Sequence, residues 1–228
     1  MAALACLVVG AAVAGCTEGA GTAKEPSAER MLDDANDTMN ALTSVTIDGK
    51  TTRAAGGGYS SHQTTDLKGR CASRTTWATG AALEQVRIGA TDYVRPNRAY
   101  LKQWSGRSMA GSKDQSRWAE VPADEAEPGD GLAACTREFV SFGAATKGER
   151  TKVNGTPAMP LVVTDEADKG GSYTFYVATE GKPYILKVVY KGTEFHSTTS
   201  FSAFDKPLDV RPPAKADVFP RPGAGEDA

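Results

Sequence analysis

The run Ser172-Tyr173-Thr174-Phe175-Tyr176-Val177-Ala178 decides the fold, together with Tyr184-Ile185-Leu186-Lys187-Val188-Val189-Tyr190, which follows it across Thr179-Glu180-Gly181-Lys182-Pro183. Both runs are dense in aromatic and β-branched residues and break at Gly and Pro, so they read as strands. Residues 158–164 precede them across the connection 165–171, and residues 194–204 follow across Lys191-Gly192-Thr193. Short, Gly-containing connections join antiparallel neighbours, which predicts a four-strand meander. Period two places Tyr173, Phe175 and Val177 on one face. Tyr184, Leu186, Val188 and Tyr190 share a face of the next strand, and Phe195 and Phe201 of the last. Such a surface has to be filled by helices, by the chain's own side chains or by a ligand.

Upstream the same alternation recurs. Val45 and Ile47 alternate with Thr46 and Asp48, and Gly56-Gly57-Gly58 breaks the run. Strands are predicted over 59–67 (polar), 71–78, 83–88 and 91–94, with 100–104 continuing after a Pro96-Asn97 turn. Residues 105–128 read as loop anchored by Trp118, and Asn154-Gly155 as a turn. Helical spacing appears twice. Ser27 is placed to cap a helix whose stripe is Ala28, Met31, Leu32, Ala35, Met39 and Leu42, with Asp33, Asp34, Asn36, Asp37 and Asn40 toward water. A second helix is expected over 132–142, with Cys135, Phe139 and Phe142 on one face. The expected class is α+β: one strongly curved antiparallel sheet, a half-barrel, with helices covering its concave face.

The N-terminus carries a separate message. Leu7-Val8-Val9-Gly10-Ala11-Ala12-Val13-Ala14-Gly15-Cys16 is an uncharged apolar run ending in small residues and a cysteine. It is too short to span a bilayer, which takes roughly 20 apolar residues, and suits a signal-peptide core. No Lys or Arg precedes it, a departure from the usual signal. Val13-Ala14-Gly15-Cys16 resembles the lipobox of bacterial lipoproteins. The resemblance implies cleavage after residue 15, diacylglyceryl modification of Cys16 and an address on the outer face of the cytoplasmic membrane. Two acyl chains at one point suffice for a lasting anchor. The domains expected are then 1–15 (signal), 16–26 (lipidated cysteine and tether), 27–219 (folded domain) and 220–228 (tail).

Composition narrows the function. Lys plus Arg (26) nearly balance Asp plus Glu (28) without long single-sign blocks, which argues against a nucleic-acid face. Of four cysteines, Cys6 leaves with the signal and Cys16 is alkylated, so Cys71 and Cys135 remain. In an oxidising compartment they most simply pair, and the loop closure contributes roughly 4 kcal/mol on a chain-entropy model. Two separate buried thiols are the alternative.

Read in order, the elements resemble the LolA/LppX-like superfamily of bacterial lipid and lipoprotein carriers, which includes the LppX/LprG-type lipoproteins. The matching pieces are the lipobox and tether, the opening helix running into Leu42-Thr43-Ser44-Val45-Thr46-Ile47-Asp48-Gly49, and Val86-Arg87-Ile88-Gly89-Ala90-Thr91-Asp92-Tyr93-Val94. The ending Thr199-Ser200-Phe201-Ser202-Ala203-Phe204-Asp205 completes the pattern over roughly residues 27–219. The resemblance implies a half-barrel around a hydrophobic cavity that holds acyl chains. Candidate wall residues are Val86, Ile88, Tyr173, Phe175, Val177, Tyr184, Leu186, Val188, Tyr190 and Phe201. For each of them taken singly, plain core is the more ordinary reading.

No catalytic constellation emerges. His62 and His196 stand alone, there is no Gly-x-Ser-x-Gly elbow, and Gly56-Gly57-Gly58 lacks the strand-to-helix setting and Lys of a phosphate loop. Asp165, Glu166 and Asp168 read as a solvated turn. No metal or cofactor is called for. The expected function is a membrane-anchored, monomeric carrier or sensor of a lipid or acylated molecule, without chemistry. The alternative is a regulatory module on the same scaffold with a filled core and a protein partner.

Overall fold

The computed structural model describes residues 25–105, 117–125, 131–164 and 170–219. The signal segment, Cys16, most of the tether, the Asp165, Glu166 and Asp168 cluster and the tail from 220 lie outside these residues.

Helix α1 (Ala28–Asn40) opens the described chain, and the Ser27 hydroxyl accepts the Arg30 N–H at 3.2 Å as its N-cap. Strands β1 (Val45–Arg53), β2 (Gly58–Thr65), β3 (Arg70–Trp77), β4 (Ala82–Ile88) and β5 (Thr91–Pro96) follow as successive hairpins. Then come α2 (Arg98–Ser105), β6 (Ala119–Pro122), β7 (Ala144–Lys147) and β8 (Thr151–Val153). The meander β9 (Thr156–Thr164), β10 (Ser172–Ala178), β11 (Ile185–Lys191) and β12 (Phe195–Ser202) closes the domain. All described strands join one antiparallel sheet in the order β6-β5-β4-β3-β2-β1-β12-β11-β10-β9-β7, with β8 paired to β9. The sheet is open, and the molecule is largely β rather than evenly α+β.

The centre of the sheet is the long-range pairing of β1 with β12, which sets Ile47 against Phe201, Gly49 against Thr199 and Arg53 against Phe195. It joins the meander to the N-terminal hairpins. Asn154 and Gly155, with φ of 49° and 85°, form the two-residue turn between β8 and β9, a left-handed pair that Asn-Gly tolerates.

Apolar residues of β9 to β12 and the start of β1 make the core with α1. Leu32, Ala35 and Met39 meet Leu161, Val177, Ile185, Phe201 and Val45, all buried. Contacts of α1 are with β7, β10 and β11, at one end of the sheet.

Three local expectations are corrected. Residues 132–142 are not helical: they run extended across the same face as α1 and form a strap. Their backbone is bonded to distant side chains, which removes the reason to coil. The Gln85 side chain accepts the Ala133 N–H at 2.7 Å and donates to the Ala133 carbonyl at 3.3 Å. Gln63 donates to the Ala134 carbonyl and Thr65 to the Cys135 carbonyl. Asn40 both donates to the Phe139 carbonyl and accepts its N–H, at 2.9 and 2.8 Å. Second, residues expected as a strand over 100–104 belong to α2, because the Asn97 side chain accepts the Tyr100 N–H at 2.8 Å and caps a helix. Third, Asn36, expected to face water, is buried and donates to Ser141 Oγ at 2.8 Å.

Candidate functional site

Alternation in β12, β1, β2 and β3 sends one polar set of side chains to the face that carries α1 and the strap. Register fixes the set. Thr199 lies beside Gly49, Gly49 beside Ser61 and Ser61 beside Thr75; one step along, Ile47 lies beside Gln63 and Gln63 beside Ser73. Over the apolar half this face is packed against by α1. Over the polar half it is not, and a cleft of about 520 Å³ opens there, within the size range of ligand sites.

The floor of the cleft is Ser197 and Thr199 of β12, Gly49 and Thr51 of β1, Ser61 and Gln63 of β2, and Ser73 and Thr75 of β3. The strap supplies the opposite wall with Leu132, Ala133, Ala134, Thr136 and Arg137. Tyr59, Trp77 and Phe195 stand at its border with Arg53. Gly49 keeps the floor low: a Cβ there would lie 2.6 Å from Ser61 Oγ. Gly131, with φ of +83°, lets the strap begin flat on the Trp77 ring, 2.5 Å from which a Cβ would stand.

The cleft's polarity is one-sided. None of its described lining residues is an Asp or Glu, while Arg53 and Arg137 both reach it. Among the described residues neither guanidinium has an ion-pair partner. Arg137 is an exposed residue whose guanidinium lies against the cleft wall, and partial desolvation there lowers its pKa from the ordinary guanidinium value. It stays charged, since arginine does not deprotonate in proteins. The hydroxyls of Thr51, Ser61, Thr75, Ser197 and Thr199 make no side-chain hydrogen bond within the described residues.

The strap is locked on this face. Cys71 of β3 is disulfide-bonded to Cys135 in the strap, the pairing expected from cysteine usage. Beside it, Asp92 is fully buried, paired with Arg87 and hydrogen-bonded to Gln85 Nε2 at 2.9 Å, which orients the Gln85 amide that holds Ala133.

An aromatic series runs from the core to the cleft. Phe175 and Tyr173 centroids are 6.3 Å apart, Tyr173 and Tyr190 4.6 Å, and Tyr190 and Phe195 4.8 Å. Tyr173 and Phe195 are partly exposed, at 37% and 38%.

Placement of the ten expected wall residues is uneven. Val177 and Phe201 are buried core, and Phe175, Val188 and Tyr184 pack against that core, Tyr184 stacked on Phe204 at 4.1 Å. Tyr190 is buried beside Tyr173. A bulge after Tyr176 pairs Val177 with Ile185, so Ile185 takes the inward place and Leu186 is the unpaired extra residue. Val86 and Ile88 alternate with the inward Gln85 and Arg87 and stand on the other face of β4, a correction to the expected wall. None of the ten lines the 520 Å³ cleft. Most residues of its floor do not stand out in the sequence, because Ser, Thr and Gln on a strand read as solvent-facing. Polarity on both faces of 59–65 was the available signal.

Solved structures with this arrangement include lipoprotein LppX from Mycobacterium tuberculosis, at 13% identity and a TM-score of 0.55, covering 81% of this chain and 98% of that one. LprF from Mycobacterium bovis aligns at 13% identity and a TM-score of 0.52, covering 82% and 97%. The chain has an LppX-like fold. No family model matches the sequence, and no curated protein matches it. At this identity the likeness is of fold alone, and the polar cleft is a property of this chain's residues on the LppX-like sheet.

Proposed function

We propose that this protein is an extracytoplasmic lipoprotein, tethered through Cys16 to the outer face of the cytoplasmic membrane, that holds an amphiphilic, acylated ligand without transforming it. The observation carrying this reading is the open cleft on the inner face of an LppX-like sheet, at the end of an aromatic series. The apolar wall that would have housed acyl chains deep in the sheet is occupied by α1 and Phe139, so chains would lie along Tyr173, Tyr190 and Phe195 instead. The sequence at residues 13–16 and the Cys71–Cys135 disulfide support an oxidising, extracytoplasmic address.

Native mass spectrometry of the chain purified from membranes tests the binding role. Co-purified lipid at near-stoichiometric occupancy is expected. A lipid-free species that ignores added acyl lipids contradicts it, and points to the second reading. That reading is a module that docks a protein partner, favoured by the filled apolar half of the face. Tethering is tested by Cys16→Ser, which should release the protein from the membrane fraction; retention there would contradict the anchor.

A further inference from the structure

We infer that the end of the sheet carrying the β1–β2 and β11–β12 turns is a rim that rests its aromatic side chains in the headgroup layer of a bilayer. Such docking is separate from the binding role proposed above, since it needs no guest in the cleft. Of the five large apolar residues exposed among the described ones, Tyr59, Tyr173 and Phe195 gather at this end. Register brings them there: Phe195 lies beside Arg53, the last residue of β1, Tyr59 beside Thr51 and Trp77, and Tyr173 beside Tyr190. Tyr190 is buried between Tyr173 and Phe195, which stiffens both rings while leaving them partly in solvent. Aromatic side chains with one wet side suit the membrane–water interface. Ala54, Ala55, Gly56 and Gly57 in one turn, and Gly192 and Thr193 in the other, carry nothing bulky that would hold the rings off a surface. Charge does not drive the contact. Arg53 and Lys191 are offset by Glu194, and residues 165–171, which join β9 to β10, add Asp165, Glu166, Asp168 and Lys169. Affinity then comes from buried ring area rather than from anionic lipid. The tether has the reach. Glu25 is paired with Lys147 and Arg150 at 3.4 and 2.8 Å and lines a pocket with Ala178 and Gly181. Tyr173 lies about 17 Å along β10 from Ala178, and residues 17–25 span at most about 30 Å. A domain anchored at Cys16 can therefore set this end on the membrane that holds it.

The test uses the full chain with Cys6→Ser and Cys16→Ser, carrying an environment-sensitive fluorophore at Thr193→Cys or, as control, at Lys68→Cys. Lys68 is exposed in the β2–β3 turn, at the other end of these strands. Vesicles of dioleoylphosphatidylcholine should shift the label at position 193 to the blue and leave the label at 68 unchanged. Brominated acyl chains should quench the first label alone. Tyr59→Ser with Phe195→Ser should weaken vesicle binding by about tenfold, and one-third phosphatidylglycerol should change it by less than about twofold. Vesicle binding with the label at 193 unshifted, or with both labels shifted alike, shows that another part of the chain makes the contact and overturns the inference. Binding only to phosphatidylglycerol vesicles, lost in high salt, overturns it too. A shifted label in a protein that co-purifies without lipid leaves the rim standing and the carrier role fallen. Co-purified lipid with an unshifted label gives the reverse.

Discussion

Asp66 shows how much of this fold is held by single side chains at turns. Its carboxylate accepts the N–H groups of Lys68, Gly69 and Arg70 at 2.9, 3.0 and 2.9 Å, closing the hairpin that delivers Cys71 to the disulfide. Partial burial works to raise its pKa, but the N–H donors and the Arg70 charge prevail and hold it below the ordinary carboxylate value. A lowered folded-state pKa contributes stability that is present above the unfolded value of about 4 and is lost as pH falls through the folded value. Asp66→Ala should therefore be less stable than the parent at pH 7, with the difference shrinking below pH 4. Urea unfolding across that range is the check, and a difference constant with pH would refute the assignment. At the start of α1, Ser27→Ala should cost about 1 kcal/mol by removing the cap seen on Arg30. That residue was legible from sequence because N-cap chemistry is local. Asn36 was not, since its partner Ser141 lies on a segment far along the chain.

At the scale of elements, the strap is the feature that sequence reading missed and the site depends on. Cys135, Phe139 and Phe142 sit three and four apart and imitate a helix face, yet Phe142 ends up 72% exposed. What decides against coiling is the set of amides and hydroxyls at Asn40, Gln63, Thr65 and Gln85, each on another element. No window of residues 132–142 contains that information. The meander from β9 to β12 was legible for the opposite reason, as its apolar alternation and short loops are carried within 47 consecutive residues. Gln85→Ala would leave both polar groups of Ala133 without their partner, and a loss of about 2 kcal/mol is expected in chemical denaturation. Cys71→Ser with Cys135→Ser should cost about 2–5 kcal/mol and also raise hydrogen exchange at Ala133, Ala134 and Cys135. Exchange unchanged in the double variant would mean the amides alone hold the strap.

Over the whole molecule, one sheet face does two jobs. Its β9–β12 half takes α1 and becomes core, while β1–β3 and the edge of β12 keep hydroxyls inward and stay open. The division follows from composition, since Leu161, Val163 and Val177 face inward on one half and Ser61, Ser73 and Thr75 on the other. It became visible only once β12 was seen to pair with β1, a contact spanning most of the domain that no local pattern announces. The most direct measurement is a map of backbone amide chemical shifts on adding a short-chain diacyl phospholipid. The account predicts that shifts gather at Gly49, Ser61, Thr75, Ser197 and Arg137. Shifts gathered instead at α1, Val177 and Ile185, with the cleft silent, would show that the guest displaces the helix from the apolar half and would contradict it.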